Sequence, residues 1–203
     1  MGKAVLISIR PEWCDLIASG KKTLEVRKTR PKLEVPFKVY IYCTKNGEIL
    51  SYERYCGYDM RDFTEDFTAN GSVIGEFICD RIDSHTADCL IVREDRQKAT
   101  IGSCLSGKEI LEYLSGSKLS IDRYSICNLQ DFYCWHISDL KLFDKPKKLS
   151  EFNFPPETFC EKELCGNCQK YEMPGEYGDV MFDCEWKRPV LRAPQSWCYV
   201  EEL

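Results

Sequence analysis

The chain has no long hydrophobic run: nothing in it approaches the 18 or more uninterrupted apolar residues of a membrane-spanning helix. A secretory leader is not evident either. Met1–Arg10 (MGKAVLISIR) holds only a short apolar run, broken by Ser8 and Arg10, with no small-residue cleavage site behind it, and reads as a first β-strand. The expectation is a soluble, cytoplasmic protein. Histidine is scarce, with two in the chain. His85 falls in a loop and His136 in a strand with no partner nearby in sequence, so a structural imidazole is the expected role. Internal repeats and low-complexity segments are also missing, which excludes a repeat architecture.

What is there begins with size. At 203 residues and 23.6 kDa the chain has room for one mid-sized domain, or a smaller domain with an added module. With 43% apolar and 30% charged residues it has the composition of a chain that buries a core. The excess is cysteine, thirteen residues in all. In a reducing compartment thiols stay unpaired unless they bind metal or do chemistry, and an odd number does not close into disulfides. The net charge of −5 hides an asymmetry. Residues 1–38 carry nine basic side chains against four acidic ones, leaving nineteen basic against twenty-nine acidic for the rest. A basic N-terminal face on an acidic body fits a local anionic ligand, a phosphate or a short RNA, better than a long duplex.

Local patterns place the elements. Ala4–Arg10 alternates as a strand; Pro11 then suits a first helical position, Trp13, Leu16 and Ile17 form an apolar stripe, and Gly20 stops the helix. Lys22–Lys28 is a strand with Leu24 and Val26 on one face and Thr23, Glu25 and Arg27 on the other. Phe37–Cys43 and Val73–Ile82 are read as strands, Phe132–Phe143 as one more, and Ser106-Gly-Lys-Glu109 as a capping box opening a second helix. Residues 44–72 read as an insertion and His85–Ser103 as irregular. Short strands, two short helices and no βαβ alternation predict an α+β fold, a small, mostly antiparallel β-barrel with flanking helices.

Gly20-Lys-Lys22-Thr-Leu-Glu25-Val-Arg27 stands as G-x-K-x-x-E-x-R directly after a strand and a short helix. An ammonium, a carboxylate and a guanidinium together offer both donors and an acceptor, enough to bind a phosphate or the Watson–Crick edge of a base. A lysine desolvated beside other cations can also turn into a base or nucleophile. The alternative is a surface salt-bridge ladder worth under about 1 kcal/mol.

This motif in this context resembles the signature of the ASCH family, a PUA-like β-barrel superfamily associated with RNA. The flanking SIRPEWCDLIASGKKTLEVRKT, WHISDLKLFDKPKKLSEF and RAPQSWCYVEEL look like ASCH-domain proteins of bacteria and their phages. The resemblance implies a barrel over about 3–152 with the insertion at about 44–72. Residues 153–203 then form a cysteine-rich module and a C-terminal strand returning to the barrel. It implies a site with Lys22, Glu25 and Arg27, and with Arg10, Thr23 and Trp197 nearby. Some family members are amidohydrolases acting on N4-acetylcytidine through a lysine, a threonine and a distant glutamate; others resemble ribonucleases or RNA-binding modules. Lys22 matches that lysine, but the threonine position falls on Glu25, with Thr23 one residue after the lysine, and Glu109 or Glu112 would supply the distant carboxylate. The expected partner is RNA or a modified nucleoside or nucleotide, with Lys22, Glu25 and Thr23 as the catalytic set if the protein is a hydrolase. A protein-interaction module in which the 44–72 insertion and the cysteine-rich zinc knuckle do the recognising is a third reading.

Trp13 and Trp135 read as core, and Trp197 as the freest stacking residue. Near the C-terminus Cys160, Cys165, Cys168 and Cys184 are spaced for a structural Zn2+ held by four thiolates, with Cys198 as the substitute for Cys160; free thiols, or a redox role for Cys165-x-x-Cys168, are the rival readings. Cysteines at 43, 79 and 134 fall in strands and read as small buried hydrophobes.

Overall fold

The computed structural model describes residues 2–46, 69–91, 93–116, 126, 129–155 and 189–203. The chain runs β1 (Lys3–Ile9), α1 (Pro11–Ala18), β2 (Leu24–Arg27), β3 (Phe37–Cys43), β4 (Val73–Cys79) and β5 (Ile82–His85). A 3-10 turn (Ala87–Leu90), α2 (Arg93–Thr100) and α3 (Gly107–Ser115) follow, then β6 (Phe132–His136), β7 (Ser138–Lys147), a second 3-10 turn (Leu149–Glu151) and β8 (Trp197–Glu201). The mixed α+β class is as expected, but the closed barrel is not. The strands form two sheets, a five-stranded one in the order β7-β4-β3-β1-β8 and a three-stranded one in the order β2-β6-β5. Pairing is antiparallel except between β1 and β3.

Two expected strands are each broken. The Val73–Ile82 strand ends at Cys79 and resumes as β5 in the other sheet, and the Phe132–Phe143 strand divides at Ile137 between β6 and β7, again across sheets. Alternation continues through such a corner, so the sequence does not display it. The corner is tied by the main chain: His136 N donates to Arg81 O and Ile137 N to Thr23 O, both at 2.9 Å. The irregular segment 85–103 contains α2, whose charged sequence REDRQKAT has no apolar stripe to announce it.

Three apolar clusters result among the described residues. Between the sheets lie Val5, Ile7 and Ile9 of β1, Val39 and Ile41 of β3, Phe77 of β4, Cys14 and Ile17 of α1, and Trp135 of β6. Behind the small sheet, Leu24, Val26, Phe132 and Cys134 meet Ile110 and Leu114 of α3. On the far face of the large sheet, Ala4, Leu6, Tyr40, Tyr42 and Val200 meet Phe152 and Val190. The small sheet therefore turns the Leu24–Val26 face of β2 toward the helices and its charged face toward the space between the sheets.

Both long intervening segments leave and return at one place. Gly71 N donates to Cys43 O and Cys43 N to Ser72 O, closing the base of the 44–72 insertion. Val190 N donates to Phe152 O beside the Asn153–Pro189 bridge, closing the base of the cysteine-rich segment.

Candidate functional site

Lys22, Glu25 and Arg27 come together, and they are buried rather than forming a surface ladder: relative exposures are 2%, 7% and 8%. Gly20, at φ +72°, reverses the chain after α1, and Lys22 N donates to Leu16 O, so the lysine is fixed before β2 begins. Glu25 bridges the two cations, with Oε2 3.3 Å from Lys22 Nζ and Oε1 2.9 Å from Arg27 Nη2. Lys22 Nζ also donates to the carbonyls of Leu24 and Ser103, both at 2.7 Å, and lies 5.4 Å from the centre of the Trp13 ring. Its ammonium thus has three acceptors for three donors. Arg27 Nη2 donates to Ser8 O at 2.7 Å and Nη1 to Ser196 Oγ at 3.2 Å. Buried ions survive only when paired and hydrogen-bonded in this way.

Around the trio stand aromatics. Glu25 is directly opposite Trp135 and Arg27 opposite Tyr133 across the β2–β6 ladder, which places the four on one face. Trp135 lies 6.0 Å from Trp197, which lies 5.4 Å from Tyr199. Two N–H donors in this wall, Arg27 Nε and Trp135 Nε1, are buried and have no hydrogen-bond partner among the described residues. A buried donor left without an acceptor costs about 1–3 kcal/mol, so such atoms call for an explanation.

The other expected site residues separate. Trp197 joins the wall, its Nε1 donating to Thr29 Oγ1 at 3.1 Å. Arg10 is exposed and sits 3.9 Å from Glu12, away from the trio. Thr23 is exposed and lines a groove behind β2, not the space between the sheets. Glu109 is occupied by the capping box on Ser106, and Glu112 lies 3.8 Å from Lys108. Neither carboxylate reaches Lys22; the Ser103 carbonyl stands there instead. The capping box holds Glu109 below its usual range through the Ser106 hydrogen bonds.

Sequence reasoning missed Ser8, Ser103 and Ser196. Ser8 did carry a signal, as the polar residue inside the buried strand VLISI, where its Oγ donates to Pro194 O at 2.6 Å. The partners from 103 and 196 are far away in sequence and had none.

Cys160, Cys165, Cys168 and Cys184 lie outside the described residues. Cys198 lies in β8 against the Tyr40 and Val200 side of the large sheet, and burial pushes its thiol up to about 12. Among the described residues no group of three or more His, Cys, Asp or Glu is placed to hold a metal ion, and no disulfide is formed. Cys43, Cys79 and Cys134 are buried, as read, and burial raises the thiols of Cys79 and Cys134 to about 12. No described helix is long and apolar enough to cross a membrane.

A model of the ASCH domain matches residues 7–72, which include the G-x-K-x-x-E-x-R motif. No curated protein matches the chain in sequence. Among solved structures, the ASCH protein of Zymomonas mobilis is 18% identical with a TM-score of 0.51, over 98% of this chain and 88% of that one. A serine-to-alanine mutant of the same protein gives 18%, 0.52, 98% and 89%. At this identity the likeness is one of fold: this chain shares the ASCH fold of the Zymomonas mobilis protein, and its match to the family model runs from β1 to the turn before β4.

Proposed function

We propose that the protein binds RNA, or a modified nucleoside or nucleotide, at Lys22, Glu25 and Arg27. ASCH domains are thought to bind RNA, which supports the class of ligand. The observation that carries the reading is the pair of buried, unpartnered donors, Arg27 Nε and Trp135 Nε1, on the same face as the Glu25 carboxylate. A base edge presents acceptors and donors side by side, and this wall answers with donors and an acceptor. Trp197, only partly buried, offers a flat face, and base stacking on an aromatic contributes about 1–3 kcal/mol per base. The three acceptors around Lys22 Nζ suit a positioned cation more than a reactive amine, so binding is favoured over hydrolysis.

The test is retention of short single-stranded RNAs, and of N4-acetylcytidine and cytidine, by wild type, Lys22→Ala and Arg27→Lys, with product formation followed in parallel. The Arg27→Lys variant keeps the charge and removes Nε, and retention is expected to fall about tenfold, as for the loss of a charge-assisted hydrogen bond. Equal retention by folded Arg27→Lys and wild type, or no retention by either, overturns the reading. Product lost in Lys22→Ala would transfer the site to the hydrolase class.

A further inference from the structure

On the other side of β2 lies an open groove of about 990 Å³. It is lined by Thr23 at the start of β2, Arg81 and Asp83 on β5 and its approach, His85, Lys98 on α2, and His136 at the end of β6. The volume is at the upper end of what small-molecule sites occupy. The two histidines of the chain, 51 positions apart, both line it.

Strand register explains the convergence. Asp83 is opposite Cys134, His85 opposite Phe132 and His136 opposite Leu24, so these polar side chains share the helix-facing side of the small sheet, beyond the edge of its apolar cluster. There they form a fixed array. Asp83 Oδ2 is 2.7 Å from His136 Nε2, and Asp83 Oδ1 is 3.2 Å from Arg81 Nε. Arg81 approaches the ring with one edge only, its Nε at 3.1 Å and its Nη2 at 2.9 Å from His136 Nε2. With His136 Nε2 donating to Asp83 it is no acceptor for Arg81, so the guanidinium is held at Nε by the Asp83 carboxylate and lies with its Nε/Nη2 edge against the imidazole. Nη1 is not among the atoms so engaged, Arg81 lines the groove, and its side chain is 64% exposed.

We propose that this groove is a second ligand site, which recognises a phosphoryl group through the outer edge of Arg81 with His136 and Lys98 beside it. The planar fork of an arginine matches two oxygens of a phosphate at once, and an arginine already pinned on its other edge loses little freedom on binding. Two carboxylates line the groove: Asp83 is engaged with Arg81 and His136, and Asp80 is exposed to solvent, which screens it. The site is separate from the trio between the sheets and does not rest on the function proposed for it.

Two histidines make two separately observable imidazole signals in an NMR spectrum of the whole chain. Inorganic phosphate added at constant pH is expected to move the His136 signal along a saturating curve, while chloride at matched ionic strength leaves it in place. Arg81→Gln, a change at an exposed side chain, is expected to weaken that response about tenfold, whereas Lys108→Ala, an exposed change outside the groove, leaves it unchanged. Uridine 5′-monophosphate, compared with uridine and with phosphate, identifies the source. Saturation at lower concentration than phosphate means a nucleotide phosphate, and equal saturation means free phosphate. A His136 signal that follows chloride as closely as phosphate, or an unchanged response in folded Arg81→Gln, overturns the proposal. Failure of RNA retention with an intact phosphate response would strike only the site between the sheets.

Discussion

Glu25 is the residue on which the buried charges depend. Among the described residues it is the single carboxylate that bridges Lys22 and Arg27, and all three side chains are at most 10% exposed. Removing one partner of a buried ion pair leaves the other charge without compensation, a cost of about 3–5 kcal/mol. Glu25→Gln is therefore expected to lower unfolding stability by about 3 kcal/mol, because two cations are left facing each other across a neutral amide. The comparison is Lys108→Ala, which breaks the Lys108–Glu112 pair on α3, where the lysine is 83% exposed. That change is expected to cost under about 0.5 kcal/mol. Urea denaturation of the two variants checks both figures, and similar losses in the two would mean that the trio is solvated. The motif's residue types were legible in the sequence, but their burial was not. Alternation states which residues share a face, and nothing in LEVR says that the charged face turns inward.

At the scale of elements, legibility followed how local the determining interaction is. Proline at the first turn and glycine at φ +72° bound α1, and the capping box at Ser106 with left-handed Gly116 bounds α3; each of these signals lies within a few residues. The β4–β5 and β6–β7 corners depend on pairing with distant strands, so VIGEFICDRI and FYCWHISDLKLF looked continuous. One loop has the same non-local character and supports the site directly. Gly102, at φ +84°, accepts from Thr23 N at 2.7 Å and Leu24 N at 2.9 Å, and a side chain there would run into Thr23 Oγ1. Its neighbour Ser103 supplies a carbonyl to Lys22. Gly102→Ala is expected to displace the start of β2 and to cost more than the backbone strain of about 1–2 kcal/mol alone. Gly20→Ala, with the same sign of φ and open space around it, is expected to cost only that strain. Thermal melting ranks the two, and retention of RNA should fall further in Gly102→Ala; equal melting temperatures would remove the steric argument.

For the whole molecule, the charge asymmetry read from the sequence takes a different meaning once the side chains are placed. Of the nine basic residues in 1–38, Lys22 and Arg27 are buried in the trio, and Lys28 donates to Leu114 O and lies over the Tyr113 ring. Lys38 pairs with Glu76 and Glu202, and Lys3 lies over Tyr199. Arg10, Lys21, Arg30 and Lys32 are the exposed remainder, on a chain whose net charge is −5. The apparent basic face is thus mostly engaged within the fold, and in the proposed reading affinity for a nucleic acid comes from the trio and the aromatic side chains beside it more than from a backbone track. Counterion release makes this measurable. Each phosphate neutralised on a single strand contributes about −0.7 to the slope of log K against log salt, so two or three contacts give a slope near −2. A slope of that size for a short single strand, with no gain in affinity per site on lengthening it, is the expected result. A slope steeper than about −4 would require more phosphate contacts than the exposed N-terminal cations supply, and would place the main interface elsewhere on the molecule.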